Sequence, residues 1–235
     1  LYYRLFIIDC LSFKLRFQKV DGAGFFFYIN KHSFIFVPQM RTRDKKKESL
    51  VKEKAIDLLV KDGFEGFSMQ KLAKAAKISP ATLYIYYKDK DDLIKKLGIG
   101  LGDEMTKITM KDFDPDLSFS KGLKRQWENR TEFCIKYPKE AACFDVIKHS
   151  PHCEYVMQHV SAVFRPVMIK FVENAVENKE LKKMSFEVYW SVAYGPLYNL
   201  ITFHKEGRSK GNRPFKFSSK IMYEALELVL KALKP

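Results

Sequence analysis

The sequence predicts an all-α chain. A three-helix helix-turn-helix unit comes first, and a fourth helix joins it to an all-helical second domain. Three observations carry this. From Lys46 on, apolar residues recur at three-to-four spacing, with no alternating strand pattern of useful length. Pro and Gly fall mostly between these periodic segments. Two short helical segments meet at a tight turn, and Ser79-Pro80 opens the second, which is the sequence shape of a helix-turn-helix.

The elements follow in order. The first helix is predicted over 46–61, with Leu50, Val51, Ala55, Ile56, Leu58 and Leu59 on its apolar side, and Asp62-Gly63 ends it. Ser68 is placed to cap MQKLAKAA, in which Met69, Leu72, Ala73 and Ala76 share a face. Lys77-Ile78 is the connection. Ser79 caps the next helix, and Pro80 stands at its first position, where a missing N–H costs nothing. The charged run KDKDD starts a fourth helix that reaches Met110, and DFDPD breaks the chain. Further helices are predicted over 118–137, 140–149, 152–178, 185–205 and 217–234. This divides the chain into an extension (1–39), a helix-turn-helix domain (40–95) and a second helical domain (96–235).

Residues 1–39 differ from the rest. The first 40 residues hold 8 of the 20 phenylalanines, in short apolar runs broken by Arg4, Asp9, Lys14, Arg16, Lys19 and Asp21. A membrane-spanning helix needs about 20 apolar residues, and a secretory signal needs an uninterrupted apolar stretch, so neither is read here. The first methionine is Met40, and RTRDKKKESL follows it like an N-terminal arm. The expectation is that 1–39 is an upstream extension, translated from non-coding sequence, and that the functional protein starts at Met40. The rival is a hairpin-like or membrane-touching appendage.

The chain has 235 residues and a net charge of +14, which favours an anionic partner. The charge is bunched, with 13 Lys/Arg against 7 Asp/Glu between Arg41 and Lys90. Cys10, Cys134, Cys143 and Cys153 form no CxxC pair and read as reduced thiols of a cytoplasmic protein.

The predicted second helix of the turn motif is short, rich in tyrosine and poor in charge. A helix in the major groove presents its first turn to base edges, and the small residues Pro80, Ala81 and Thr82 let its backbone come close. Tyr84, Ile85 and Tyr86 lie beyond them, with both tyrosines read as reaching phosphates. Leu83 and Tyr87, four apart, are read as facing inward. Ser68, Ser79 and Lys90 complete the DNA-facing set, Lys90 near the positive end of the fourth helix. The arm Arg41, Arg43, Lys45, Lys46 and Lys47 supplies phosphate neutralisation, or else is only a solvated charge run.

The stretch FSMQKLAKAAKISPATLYIYYKDKDDL, with the helix before it, resembles the TetR family of transcriptional regulators. The matching positions are Leu72, Ala73, Ala76, Ser79, Leu83, Tyr84, Tyr86, Tyr87, Lys90 and Leu93. Two positions depart from the pattern: Lys77 stands where the turn usually has Gly, and Tyr87 where Phe is commoner. The resemblance implies a double-stranded DNA partner and a C-terminal half that binds a small ligand and dimerises.

In that half, Trp127, Phe144, Phe164, Met168, Tyr194 and Tyr198 are the expected pocket lining, for an apolar or aromatic ligand that includes a cationic one. The ordinary alternative is that these residues only fill a helical core. The last two helices are read as a dimer face, Gly195-Pro196 bending the first, and the two-fold axis implies an inverted-repeat operator. Cys143, His149, His152, Cys153 and His159 are dense enough to raise a metal- or redox-sensing alternative, but match no structural zinc spacing. No cofactor loop is read: Gly98, Gly100 and Gly102 fall inside the fourth helix without a preceding strand, and are read as softening it. A helical enzyme and a membrane-associated protein are the alternatives from other classes. No nucleophile–base motif supports the first, and the working expectation is a regulator, a repressor released by its ligand.

Overall fold

The computed structural model describes the backbone of residues 17–20, 24–30 and 33–37 and all atoms of residues 44–235. The first three segments are strands, β1 (Phe17–Val20), β2 (Gly24–Asn30) and β3 (Ser33–Val37). They pair in that order as an antiparallel meander, Phe17 opposite Phe27 and Phe26 opposite Phe36, with a register shift between Tyr28 and Asn30.

Lys46–Pro235 is a separate compact unit. Residues 44–235 are helical, as predicted: α1 (Lys45–Gly66), α2 (Met69–Ala75), α3 (Pro80–Tyr86), α4 (Lys90–Thr109), α5 (Phe119–Lys136), α6 (Pro138–Lys148), α7 (Cys153–Glu177), α8 (Phe186–Glu206) and α9 (Ser219–Leu233). The punctuation explains the boundaries. Gly63 breaks α1 at φ 70. Ser68, Ser79, Asp89, Ser185 and Ser218 each accept a backbone N–H of the helix they cap. Gly207 ends α8 in the left-handed conformation. Pro166 and Pro196 lie inside α7 and α8, both of which run on through them.

Two hydrophobic cores form, and they do not divide at residue 95. The first joins α1–α4 to α6 and the start of α7, with Val51, Leu59, Leu72, Leu83, Leu93 and Ile147 among its members. The second joins α5, the rest of α7, α8 and α9, around Trp127, Phe171, Tyr189, Tyr194 and Leu226. α7 therefore enters both cores, through Val156 and Val160 in the first and Met168 and Phe171 in the second. At about 1.5 Å per residue its length is on the order of 37 Å.

Two of the three glycines of α4, Gly98 and Gly102, act by space. A Cβ at Gly98 would stand 2.7 Å from a Val156 methyl, and one at Gly102 2.1 Å from a Val160 methyl. Only hydrogen at these positions lets α4 and α7 come this close, whereas Gly100 meets nothing within 4 Å.

Candidate functional site

The reading motif is assembled almost entirely by local contacts. Ser68 Oγ accepts the Lys71 N–H at 3.2 Å, and Ser79 Oγ accepts the Thr82 N–H at 3.1 Å. Ser79 and Thr82 hydroxyls also lie 2.8 Å apart. The turn between α2 and α3 closes with Ile78 N donating to Ala73 O at 3.0 Å, and Lys77 takes φ 53 there. That is the left-handed conformation at which a Lys replaces the more permissive Gly. Leu72, Ala73, Ala76 and Leu83 are buried and fix the angle between the two helices.

This packing leaves one face of α3 outward. Pro80 and Ala81 are exposed, Thr82 is half-buried, and Tyr84 and Ile85 are 53% and 45% exposed. Such large exposed side chains on a seven-residue helix are what a groove-inserted helix requires. One expectation is corrected. Tyr86, read as reaching outward, is buried, because it stands three residues after buried Leu83 and shares its face. Tyr87, read as inward, is half-buried and packs against the first core from just beyond the end of α3.

Lys90 is also placed differently. Its Nζ donates to the Phe64 carbonyl at 2.9 Å and lies 4.1 Å from the centre of the Phe64 ring. It ties α4 to the end of α1 instead of standing free for a phosphate. The positive end of α4 is answered by Asp89, Asp91 and Asp92, and Asp92 accepts from Lys88 N and Lys96 Nζ. The Lys96 ammonium holds the Asp92 carboxyl below its ordinary range.

Lys45, Lys46 and Lys47 are exposed at the start of α1, while Arg41 and Arg43 lie outside the described residues. Lys74, Lys77 and Lys88, not among the DNA contacts expected from the sequence, are exposed on α2, the turn and the α3–α4 link. Their positions inside the motif were the signal.

In the second core, five of the six expected lining residues meet: Trp127, Met168 and Tyr194 are buried there, and Phe164 and Tyr198 pack against them. Phe144 does not join them. It belongs to the first core, 3.5 Å from where a Cβ of Gly102 would stand, because α6 turns toward α4. Trp127 Nε1 donates to Ala193 O at 2.8 Å and links α5 to α8. Gln126 and Asn129 amides donate to Thr109 O at 3.0 Å each, which closes the C-terminal end of α4.

Arg130 was missed. It lies on the buried face of α5 with Leu123, Gln126 and Trp127, at 5% exposure, and a lone charge on a face otherwise of apolar and neutral side chains is its sequence signal. Its Nη1 donates to Tyr198 Oη at 2.8 Å, and the rings of Tyr194, Trp190 and Phe164 surround the guanidinium at 4.5, 5.1 and 5.4 Å. Burial pushes the Tyr194 hydroxyl above its ordinary range. A fixed cation in this cluster opposes the cationic ligand entertained from the sequence.

The Cys/His group is dispersed. His152 Nε2 meets Asp91 at 3.0 Å, His159 Nε2 meets Asp103 at 3.2 Å, and His149 Nδ1 meets the Asp145 carbonyl at 2.8 Å. Cys143 is buried and its thiol is pushed up to about 12 by burial. Among the described residues no three such groups are placed to hold a metal ion. Nor, among them, is any helix long and apolar enough to cross a membrane.

Comparison with known proteins agrees with this geometry. Residues 51–97 match the family described as bacterial regulatory proteins, tetR family. The chain is 31% identical over 81 residues to an uncharacterised HTH-type transcriptional regulator of Haemophilus influenzae, covering 34% of this chain and 43% of that protein. It is 32% identical over 92 residues to the uncharacterised HTH-type transcriptional regulator YuxN of Bacillus subtilis, covering 37% and 32%. It thus spans less than half the length of these curated relatives. Among solved structures, a TetR family transcription regulator from Marinobacter aquaeolei superposes with a TM-score of 0.69 at 24% identity, over 83% of this chain and 99% of that one. A TetR-family regulator from Haemophilus influenzae does so at 0.66 and 19%, over 83% and 100%. At these identities the likeness is one of fold.

Proposed function

We propose, from the match of residues 51–97 to the tetR family of bacterial regulatory proteins, that this chain is a DNA-binding transcriptional regulator of that kind, a homodimeric repressor released by a small ligand. The outward face of α3 carries the proposal. A short, doubly capped helix offers Pro80, Ala81, Thr82, Tyr84 and Ile85 to a groove, flanked by exposed Lys74, Lys77 and Lys88. Base edges meet the small residues and the Thr82 methyl, Tyr84 reaches the backbone, and the lysines neutralise phosphates. Ser68 and Ser79 hold the helices in register for this, and the lysines at the start of α1 add charge beside it.

The second copy has a place to dock. Of the α9 stripe, Met222, Leu226 and Val229 are spent on the chain's own core, but Leu228 is 64% exposed and Ala232 is exposed beside it. With α8 this supports a four-helix contact across a two-fold axis, and hence an inverted-repeat operator. Release runs through α7. A ligand among Trp127, Phe164, Met168, Tyr194 and Tyr198 displaces the second-core half of α7. The contact of Val156 and Val160 with Gly98 and Gly102 passes that displacement to α4. α4 then carries the reading helix out of register with its partner's.

The test is footprinting of the full chain on the DNA upstream of its own gene, across a salt series. Protection of an inverted repeat is expected, with log affinity falling by about 0.9 per phosphate contact against log salt. Tyr84→Ala should weaken it without unfolding the chain. Weak binding, equal on all sequences and indifferent to Tyr84, would reduce the basic charge to a general polyanion patch and defeat the proposal.

A further inference from the structure

We propose that the ligand of the second core is an apolar or aromatic monocarboxylate, held by its two oxygens on Arg130 Nε and Nη2. This rests on reading that core as a sensor, but its test needs no DNA.

Arg130 is 95% buried and keeps its charge at any working pH. Nη1 is satisfied by Tyr198 Oη. Nε and Nη2 are buried with no hydrogen-bond partner. These two nitrogens share one edge of the guanidinium, where their N–H bonds run parallel. That edge is the fork that takes the two oxygens of a planar carboxylate side-on. No described Asp or Glu pairs with Arg130. Among the described residues its charge is answered by the ring faces of Tyr194, Trp190 and Phe164 and by the neutral phenols of Tyr198, Tyr194 and Tyr189, none of them an anion. A buried charge is normally paired, because leaving one unpaired is strongly unfavourable. The hydroxyls of Tyr189 and Tyr194, buried in the same core without partners, are further donors of the kind an oxyanion accepts.

The same surroundings set the rest of the ligand. Arg130 is the only buried charged side chain among the described residues, so one anionic group is matched and a second is not. The body meets rings and Met168, so it is apolar or aromatic. Phe164, Trp190 and Tyr198 are only half-buried and form the outer side of the cluster.

A purely structural role for Arg130, as a clamp on the rings around it, predicts something different. Under that role its removal loosens the core. Under the proposal its removal relieves an unmatched charge.

The experiment titrates the full chain with phenylacetate and octanoate, and with phenylacetamide and octanamide as neutral counterparts. Tryptophan emission is the readout, since Trp190 lies 5.1 Å from the guanidinium carbon. Saturable binding of an acid and not of its amide is expected. Arg130→Met should lose on the order of tenfold or more in affinity, by loss of charge-assisted hydrogen bonds. It should melt at the same temperature as the parent chain or higher. Arg130→Lys keeps the charge without the fork, should bind the acids more weakly than the parent chain, and decides the matter if the Met variant does not fold. Acid and amide binding alike, no acid binding, or acid binding unchanged in both variants each overturn the proposal. A lower melting temperature for Arg130→Met with acid binding intact assigns Arg130 to packing. Acid binding without release of operator DNA would instead count against the regulatory reading alone.

Discussion

The helix-turn-helix and the Arg130 cluster spend charge in opposite ways. Around α2 and α3 the buried residues are apolar, apart from the Tyr86 hydroxyl, and the caps are satisfied within three residues. The lysines point to solvent. Around Arg130 the charge is inside, and several donors have no partner. The first region is organised to hold a shape and does its work on an outer face. The second gives up stability at a point where something else must supply the partner. On the proposed reading, DNA recognition draws on that rigidity and ligand sensing on that unsatisfied interior.

The largest effect that tests this contrast lies within α3 itself. Leu83 is fully buried and Tyr84, the next residue, is 53% exposed. Leu83→Ala should cost about 2–5 kcal/mol of folding stability, since it leaves a cavity under the reading helix. Tyr84→Ala should stay within about 0.5 kcal/mol of the parent chain. Urea denaturation of both measures the difference. Equal losses would mean that α3 is not divided into a packed face and a presented face.

A middle-sized effect tests the link between the two regions. Gly102→Ala puts a Cβ 2.1 Å from a Val160 methyl and 3.4 Å from the Val160 Cβ, with the Phe144 ring at 3.5 Å. It should destabilise the fold by about 1–3 kcal/mol. Gly100→Ala meets nothing and should stabilise α4 by up to about 1 kcal/mol through helix propensity. If thermal melts put both variants on the same side of the parent chain, α4 and α7 are not in the close contact through which release is argued to pass.

Legibility in the sequence follows the range of the interaction that decides each feature. Ser68, Ser79-Pro80 and Gly63 act within a few residues, and the helices they bound lie where the sequence puts them. α5 to α9 begin and end within about two residues of expectation, because Pro, Ser and Gly punctuate them. The errors are long-range or terminal. Lys90 was assigned to a phosphate because its partner, the Phe64 carbonyl, is 26 residues away in sequence. Tyr86 faces inward rather than outward because it lies three residues after buried Leu83, on the same side of α3. Phe144 was grouped with the wrong core because α6 packs on α4, which nothing local reveals. Gly98 and Gly102 read in the sequence as soft points of α4, because their contacts with Val156 and Val160 on α7 are long-range. Arg130 is legible: it is the one charge on a face of α5 that buries Leu123, Trp127 and Phe133 beside the neutral amides Gln126 and Asn129.

The smallest effect concerns a charge kept outside. Lys139 on α6 donates to Asp57 on α1 at 2.6 Å, with both side chains a third or more exposed. The Lys139 ammonium holds the Asp57 carboxyl below its ordinary value of 3.8. A carboxyl lowered by folding adds stability above that value and loses it as pH falls through the lower, folded one. Lys139→Ala should therefore lower the melting temperature slightly at neutral pH. The difference should close in acid, and also in high salt, because an exposed pair is screened. A loss as large as that from Gly102→Ala, or one that persists in acid, would show that surface charge carries part of the α1–α6 contact. The distinction between charge that stays outside to little effect and charge that is buried for a purpose would then be weaker than Arg130 suggests.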